Sequence, residues 1–128
     1  DHKKRYLNAE IYLRNLKKLL NNNIVILPGY KTNHQISYYK NLSSFPQMPL
    51  ICKDLDKLID YLISKNVDIA QQHIKNLSEF QIYNNIGIKC ENAAEISRKV
   101  LLLPTYPEYP RKNIKRLCNL INSFYSRI

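Results

Sequence analysis

Apolar residues recur at three- and four-residue steps in three stretches of this chain and run unbroken in two others. Ile114, Leu117, Cys118, Ile121, Phe124 and Tyr125 make one stripe, and Leu55, Leu58, Ile59, Leu62 and Ile63 make another. That spacing predicts amphipathic helices over both, the second opened by Asp54 as an N-cap and stopped by a left-handed Asn66. A longer helix is predicted over residues 3–20, where Tyr6, Ala9, Leu13, Leu16 and Leu20 share a stripe and Asn21-Asn22-Asn23 follows. Val100 to Leu103 and Ile24 to Leu27 are short continuous apolar runs, the pattern of buried strands. The second of these runs into Pro28-Gly29, a turn signal.

The remaining segments are less regular. Gln35 to Leu42 favours a strand, Ser43 to Pro49 with its two prolines a loop, Leu50-Ile51-Cys52 a brief strand or a core anchor, and Val67 to Ala70 a third strand. Residues 71–89 hold scattered apolar anchors, and a short helix is expected over Asn92 to Lys99, with Ala93, Ala94 and Ile96 available for packing. Pro104, Pro107 and Pro110 interrupt regular structure before the closing helix, because each removes an N–H and fixes φ. This order predicts one α/β (α+β) domain over residues 1–128. It is a two-layer small domain, with a short mixed or antiparallel sheet and helices mainly on one face. The first helix also carries Leu7, Ile11, Tyr12 and Leu19 off its main stripe, as expected of a helix held between two bodies.

Composition adds bounds. A chain of 128 residues is long enough for one hydrophobic core, and a 45% apolar fraction argues against disorder. No apolar run reaches the roughly 20 residues of a membrane span. The N-terminus has charges but no apolar signal core and no starting Met, so a cytoplasmic chain, processed or excised, is expected. Cys52, Cys90 and Cys118 are odd in number and widely spaced, as in a reducing compartment. Twenty Lys and Arg against ten Asp and Glu give a formal charge of +10. These cations are spread along the chain apart from Lys3-Lys4-Arg5 and the Arg111 to Arg116 group. With so much Asn, Ile, Lys and Tyr, compositional drift is preferred to nucleic-acid binding. The rival reading is a free-standing basic module for nucleic acid or an acidic partner.

Little catalytic chemistry is legible. Gly29 and Gly87 are the only glycines, so no glycine-rich phosphate loop exists, and G-x-S-x-G, H-E-x-x-H and C-x-x-C are all missing. His2, His34 and His73 have no partners at metal-ligand spacing. Asp54, Asp56 and Asp60 read as a capping and solvated face rather than paired catalytic carboxylates. His73 sits where a strand end meets a loop, and a hydrogen-bonded surface or hinge role is preferred to a binding role. Tyr38 and Tyr39 would point to opposite faces of a strand. Tyr106 and Tyr109, between prolines, read as packing residues in a rigid connection in preference to stacking platforms.

The residues from Cys90 to Pro110, C-E-N-A-A-E-I-S-R-K-V-L-L-L-P-T-Y-P-E-Y-P, resemble the C-terminal signature of the DegT/DnrJ/EryC1/StrS sugar aminotransferases. In that family a short helix precedes an L-P-x-Y/H-P segment and a final amphipathic helix. Arg5 to Tyr12 resembles the R-x-x-N-A-x-x-Y start of the helix leaving the large domain. Ile36 to Leu42 resembles a small-domain strand, and Lys53 to His73 a helix-to-strand unit in which Asn66 stands where many relatives have glycine.

The resemblance implies the small, C-terminal domain of a fold-type I, pyridoxal-phosphate-dependent enzyme. Such enzymes transfer an amino group from glutamate or glutamine to a keto-sugar nucleotide and work as homodimers. Their Schiff-base lysine, pyridine-nitrogen aspartate and phosphate cup lie in the large domain. It follows that no catalytic residue and no bound cofactor is expected in this chain, whose partners would be that large domain and a partner subunit. Ser37-Tyr38-Tyr39-Lys40 copies the family's S-x-x-K spacing, but no glycine follows and it is read as coincidence. Small-domain loops in the family close over the active site, which makes His73, Tyr38 and His34 the substrate-side candidates.

Overall fold

In the computed structural model, which describes residues 2–30, 47–67, 69 and 91–127, the helix predicted over 3–20 is two helices. α1 (His2–Asn15) and α2 (Lys17–Asn21) are divided at Leu16, whose φ of −101° and ψ of 7° depart from helical values although its N–H still donates to Tyr12 O and its carbonyl accepts from Leu20. Leu19 and Leu20 are both buried, along with Ala9, Tyr12, Leu13 and Leu16. Tyr12 and Leu19, expected on outer faces, are thus absorbed by the domain itself. Leu7 and Ile11 remain half-buried.

Among the described residues three strands follow: β1 (Val25–Ile26), β2 (Met48–Cys52) and β3 (Val100–Leu103). They form an antiparallel sheet in the order β1-β2-β3, with Ile26 opposite Ile51 and Leu50 opposite Leu101. Between β2 and β3 lie α3 (Leu55–Ser64) and α4 (Glu91–Ser97), and α5 (Arg111–Ser126) closes the chain. The domain is therefore α+β, as its periodicities predict. The strand predicted over Gln35 to Leu42 lies outside the described residues; of the one predicted over Val67 to Ala70, Asp68 and Ala70 also lie outside them, while Val67 and Ile69 are in no strand.

Pro49 corrects the sequence reading. It was expected in a loop and stands inside the central strand, opposite Leu102. A strand turns successive N–H and C=O groups to opposite sides. Cys52 N–H donates to Lys99 O at 2.7 Å, so residues 50 and 48 also face β3, while Ile51 and Pro49 face β1. Extending the Ile26–Ile51 register would place Pro28 opposite Pro49. There the chain has already left the sheet, in a turn closed by Tyr30 N–H to Leu27 O at 3.0 Å with Gly29 at φ 82°. Proline at the second and glycine at the third position are what a type II turn requires. The missing N–H of Pro49 therefore breaks no ladder bond.

The sheet has two unlike faces. Val25, Met48, Leu50, Cys52, Leu101 and Leu103 are buried and join residues of α1, α2, α3 and α5 in one core. On the other face Pro49, Ile51 and Leu102 are half-buried and Ile26 is 48% exposed. α3 and α5 lay their predicted stripes on the core, except that Ile63 is exposed and Phe124 half-buried. Asp54 does begin α3, but from a left-handed conformation with no side-chain capping bond, and Asn66 at φ 60° stops it as expected. α4 buries nothing, and Ile96 is 47% exposed.

Candidate functional site

The proline–tyrosine segment between β3 and α5 is held by α1. Asn8 and Tyr12 are one turn apart on that helix and so emerge on one side. Both are buried, at 3% and 0% exposure. Asn8 Nδ2 donates to the carbonyls of Thr105 (3.2 Å) and Tyr106 (3.0 Å), and the Tyr12 hydroxyl donates to Pro104 O (2.9 Å). Three consecutive carbonyls of a segment that prolines exclude from regular structure thus find side-chain donors in place of a ladder. Thr105 is fully buried beside them.

Beyond the clamp the chain turns sharply. Tyr109 N–H donates to Tyr106 O at 3.0 Å, and the two rings meet edge to face at 5.1 Å. Tyr106 is 44% exposed, so it is presented outward from a backbone fixed by flanking prolines and two α1 side chains. Pro110, extended at φ −63° and ψ 133°, then starts α5, and its carbonyl accepts from Asn113 and Ile114. Proline before a helix suits this position because the first N–H groups lack helical partners in any case. α5 in turn bonds back to α1 through Asn122 Nδ2 to Asn15 O at 2.9 Å.

Sequence reasoning had treated Asn8 only as part of a motif and placed Tyr12 on an outward face. The signal that could have found them was the i, i+4 pair of donors set against a segment rich in carbonyls and poor in N–H groups. His73, Tyr38 and His34 lie outside the described residues.

The buried ionisable groups here serve packing. Burial pushes the Cys52 and Cys118 thiols up from 9.0 to about 12, and pushes the Tyr12 and Tyr125 hydroxyls above their usual value. A thiol held protonated in this way is a poor nucleophile at neutral pH. Folding binds these protons more tightly than the unfolded chain does. The resulting stability is therefore complete below about pH 9 and is lost as pH rises toward 12, at up to about 1.4 kcal/mol per pH unit for each thiol. In a Cys90→Ser background, urea titrations between about pH 8 and pH 11 should show this decline, with Cys52 and Cys118 reacting with a thiol reagent only as fast as the protein unfolds. Rapid labelling of the folded protein at neutral pH would contradict the assignment.

The described residues do not fit pyridoxal phosphate. Every lysine among them is exposed, so none is the buried, oriented amine that a Schiff base needs. No set of three or more His, Cys, Asp or Glu gathers among the described residues to hold a metal ion. No helix among them is long and apolar enough to cross a membrane.

Comparison with known proteins adds to this geometry. The model of the DegT/DnrJ/EryC1/StrS aminotransferase family matches residues 2–122, a span that includes both halves of the clamp. The chain is 35% identical over 107 residues to a dTDP-4-amino-4,6-dideoxy-D-glucose transaminase of Shigella dysenteriae, covering 80% of this chain and 27% of that protein. Its fold is similar to that of S. venezuelae DesV, solved with a ketimine intermediate, at a TM-score of 0.79 and 18% identity over 99% of this chain and 32% of DesV. A DegT DnrJ EryC1 StrS aminotransferase from Brucella abortus matches with a TM-score of 0.67 and 17% identity, over 97% of this chain and 31% of its own. The chain thus spans about a third or less of the length of these relatives.

Proposed function

Because the chain belongs to the DegT/DnrJ/EryC1/StrS aminotransferase family, we propose that it is the small domain of a pyridoxal-phosphate-dependent sugar aminotransferase. The observation that carries this reading is the clamp. The two stretches that resemble the family, Arg5 to Tyr12 and Cys90 to Pro110, meet through Asn8 and Tyr12 on the carbonyls of residues 104–106. Motifs that far apart, bonded directly to one another, are parts of one structural unit.

In this reading residues 1–128 are a single domain that partners a cofactor-binding large domain and a second subunit in a cytoplasmic homodimer. The complete enzyme moves an amino group from glutamate or glutamine to a keto-sugar nucleotide. His73, Tyr38 and His34 would approach the substrate, and catalysis would rest with residues of the large domain. The chain alone is inactive.

Two experiments bear on this. Replacing the matching segment of the Shigella transaminase by this chain should give a protein that holds the cofactor and keeps measurable transaminase activity, where deletion of the segment abolishes it. A soluble, cofactor-loaded chimera with no activity would count against the assignment. Separately, the isolated chain mixed with pyridoxal phosphate and reduced with borohydride should yield only scattered substoichiometric lysine adducts, because an exposed lysine supplies neither orientation nor electronic tuning. One stoichiometric adduct at one lysine would overturn the view that the chain holds no cofactor.

A further inference from the structure

α3 and α5 run antiparallel, joined at one end by Tyr125 Oη to Lys53 O (2.8 Å) and at the other by Arg116 to Lys65 O (2.5 Å). Along their outer seam the Tyr61 and Phe124 rings meet at 5.6 Å. Lys65 Nζ lies 5.7 Å from the centre of the Tyr61 ring and Arg127 Cζ lies 5.2 Å from it. Leu120, one turn from both Arg116 and Phe124, is half-buried, as are Tyr61 and Phe124. The seam is thus an apolar row with cations at its margins.

Nothing among the described residues neutralises those cations. Lys65, Arg116 and Arg127 form no ion pair there. α5 holds no carboxylate at all, although Arg111, Lys112, Lys115 and Arg116 crowd its first two turns, the end where the helix dipole already disfavours positive charge. On α3, Lys57, Tyr61 and Lys65 fall on one line at four-residue steps, while Asp56 and Asp60 lie on another. Arg116 has a local use, since it satisfies a carbonyl at the C-terminus of α3. Lys65 and Arg127 lie by the Tyr61 ring, but none of the three has a carboxylate to balance its charge among the described residues.

We infer that this seam is a docking surface for an acidic amphipathic helix of a partner protein. A helix laid between two antiparallel helices would cover Leu120, Phe124 and Tyr61 with its apolar stripe and bring flanking carboxylates to Lys65, Arg116 and Arg127. Aromatic side chains and arginine together are the composition of interface centres. A nucleic-acid backbone would meet the cations but leave the apolar row uncovered, and the Tyr61 ring already has cations near it that crowd a stacking base.

The test uses the chain and a fluorescent synthetic helix of leucine and glutamate at heptad spacing. Its controls are an isomer of the same composition with the stripe scrambled and a single-stranded oligonucleotide of equal charge. The heptad peptide should bind at least about tenfold tighter than either control. Lys65→Glu with Arg127→Glu, which spares the Arg116 bond to the backbone carbonyl of residue 65, should weaken binding at least about tenfold. Lys17→Glu with Lys18→Glu, the same charge change on exposed positions of α2, should alter it by less than about twofold. Circular dichroism confirms that each variant is folded. Equal weakening by the two double variants, absence of peptide binding, or preference for the oligonucleotide overturns the proposal.

Discussion

Replacing Asn8 with leucine is expected to destabilise the domain by about 2–4 kcal/mol, a loss of on the order of 10 °C in melting temperature. Leucine keeps the branching of asparagine but is larger, so the change removes the amide and also crowds its site. Tyr106 O keeps the Tyr109 N–H as a donor, whereas Thr105 O, beside a fully buried side chain, loses the donor that Asn8 supplied. The two lost bonds cost about 0.5–1.5 kcal/mol each, and the added bulk of leucine in a closed site about 1 more. Tyr12→Phe removes only the bond to Pro104 O and should cost about 1–2 kcal/mol. Both side chains hold the same segment, so the double variant should lose less than the sum of the singles, the mark of a shared element in a double-mutant cycle. Urea unfolding at neutral pH measures all three. An Asn8→Leu protein within about 0.5 kcal/mol of the parent would show that the clamp contributes little.

The second large effect separates two neighbouring leucines. Leu101→Ala should cost about 2–5 kcal/mol, because Leu101 is fully buried in the middle of β3 opposite Leu50 and its removal opens a cavity in the core. Leu102 lies on the other face, half-buried opposite Pro49, and the same truncation there should cost under about 1.5 kcal/mol. The contrast tests the register itself, since a one-residue slip exchanges the faces of every strand residue. Equal losses at the two positions would mean that the assigned register is wrong.

Much of the domain was legible in the sequence because its information is local. Val100 to Leu103 is a strand, Pro28-Gly29 is a turn, Asn66 ends α3 at a positive φ, and the stripe from Ile114 to Tyr125 faces the core. Each rests on side-chain periodicity or a backbone restriction within a few residues, which chemistry near the residue decides. The family motifs were legible on the same terms, as short strings of residues.

What the sequence left open depends on which groups meet after folding. Pro49 reads as a loop residue until the end of β1 is known, and only the register shows that its missing N–H faces no partner. The irregular backbone at Leu16, beside a core that takes in both Leu19 and Leu20, is likewise nothing that helix propensity contains. Asn8 could have pointed to any acceptor, and tertiary packing alone brings it to carbonyls 97 and 98 residues away. The cations, scattered along the chain, likewise gather only when α3 and α5 align and Arg116 reaches Lys65, 51 positions distant. Periodicity along the chain determined the elements and their buried faces. The long-range pairings between them arose only in the tertiary structure, because a hydrogen bond or a charge cluster is set by distances in space that neighbouring residues do not encode.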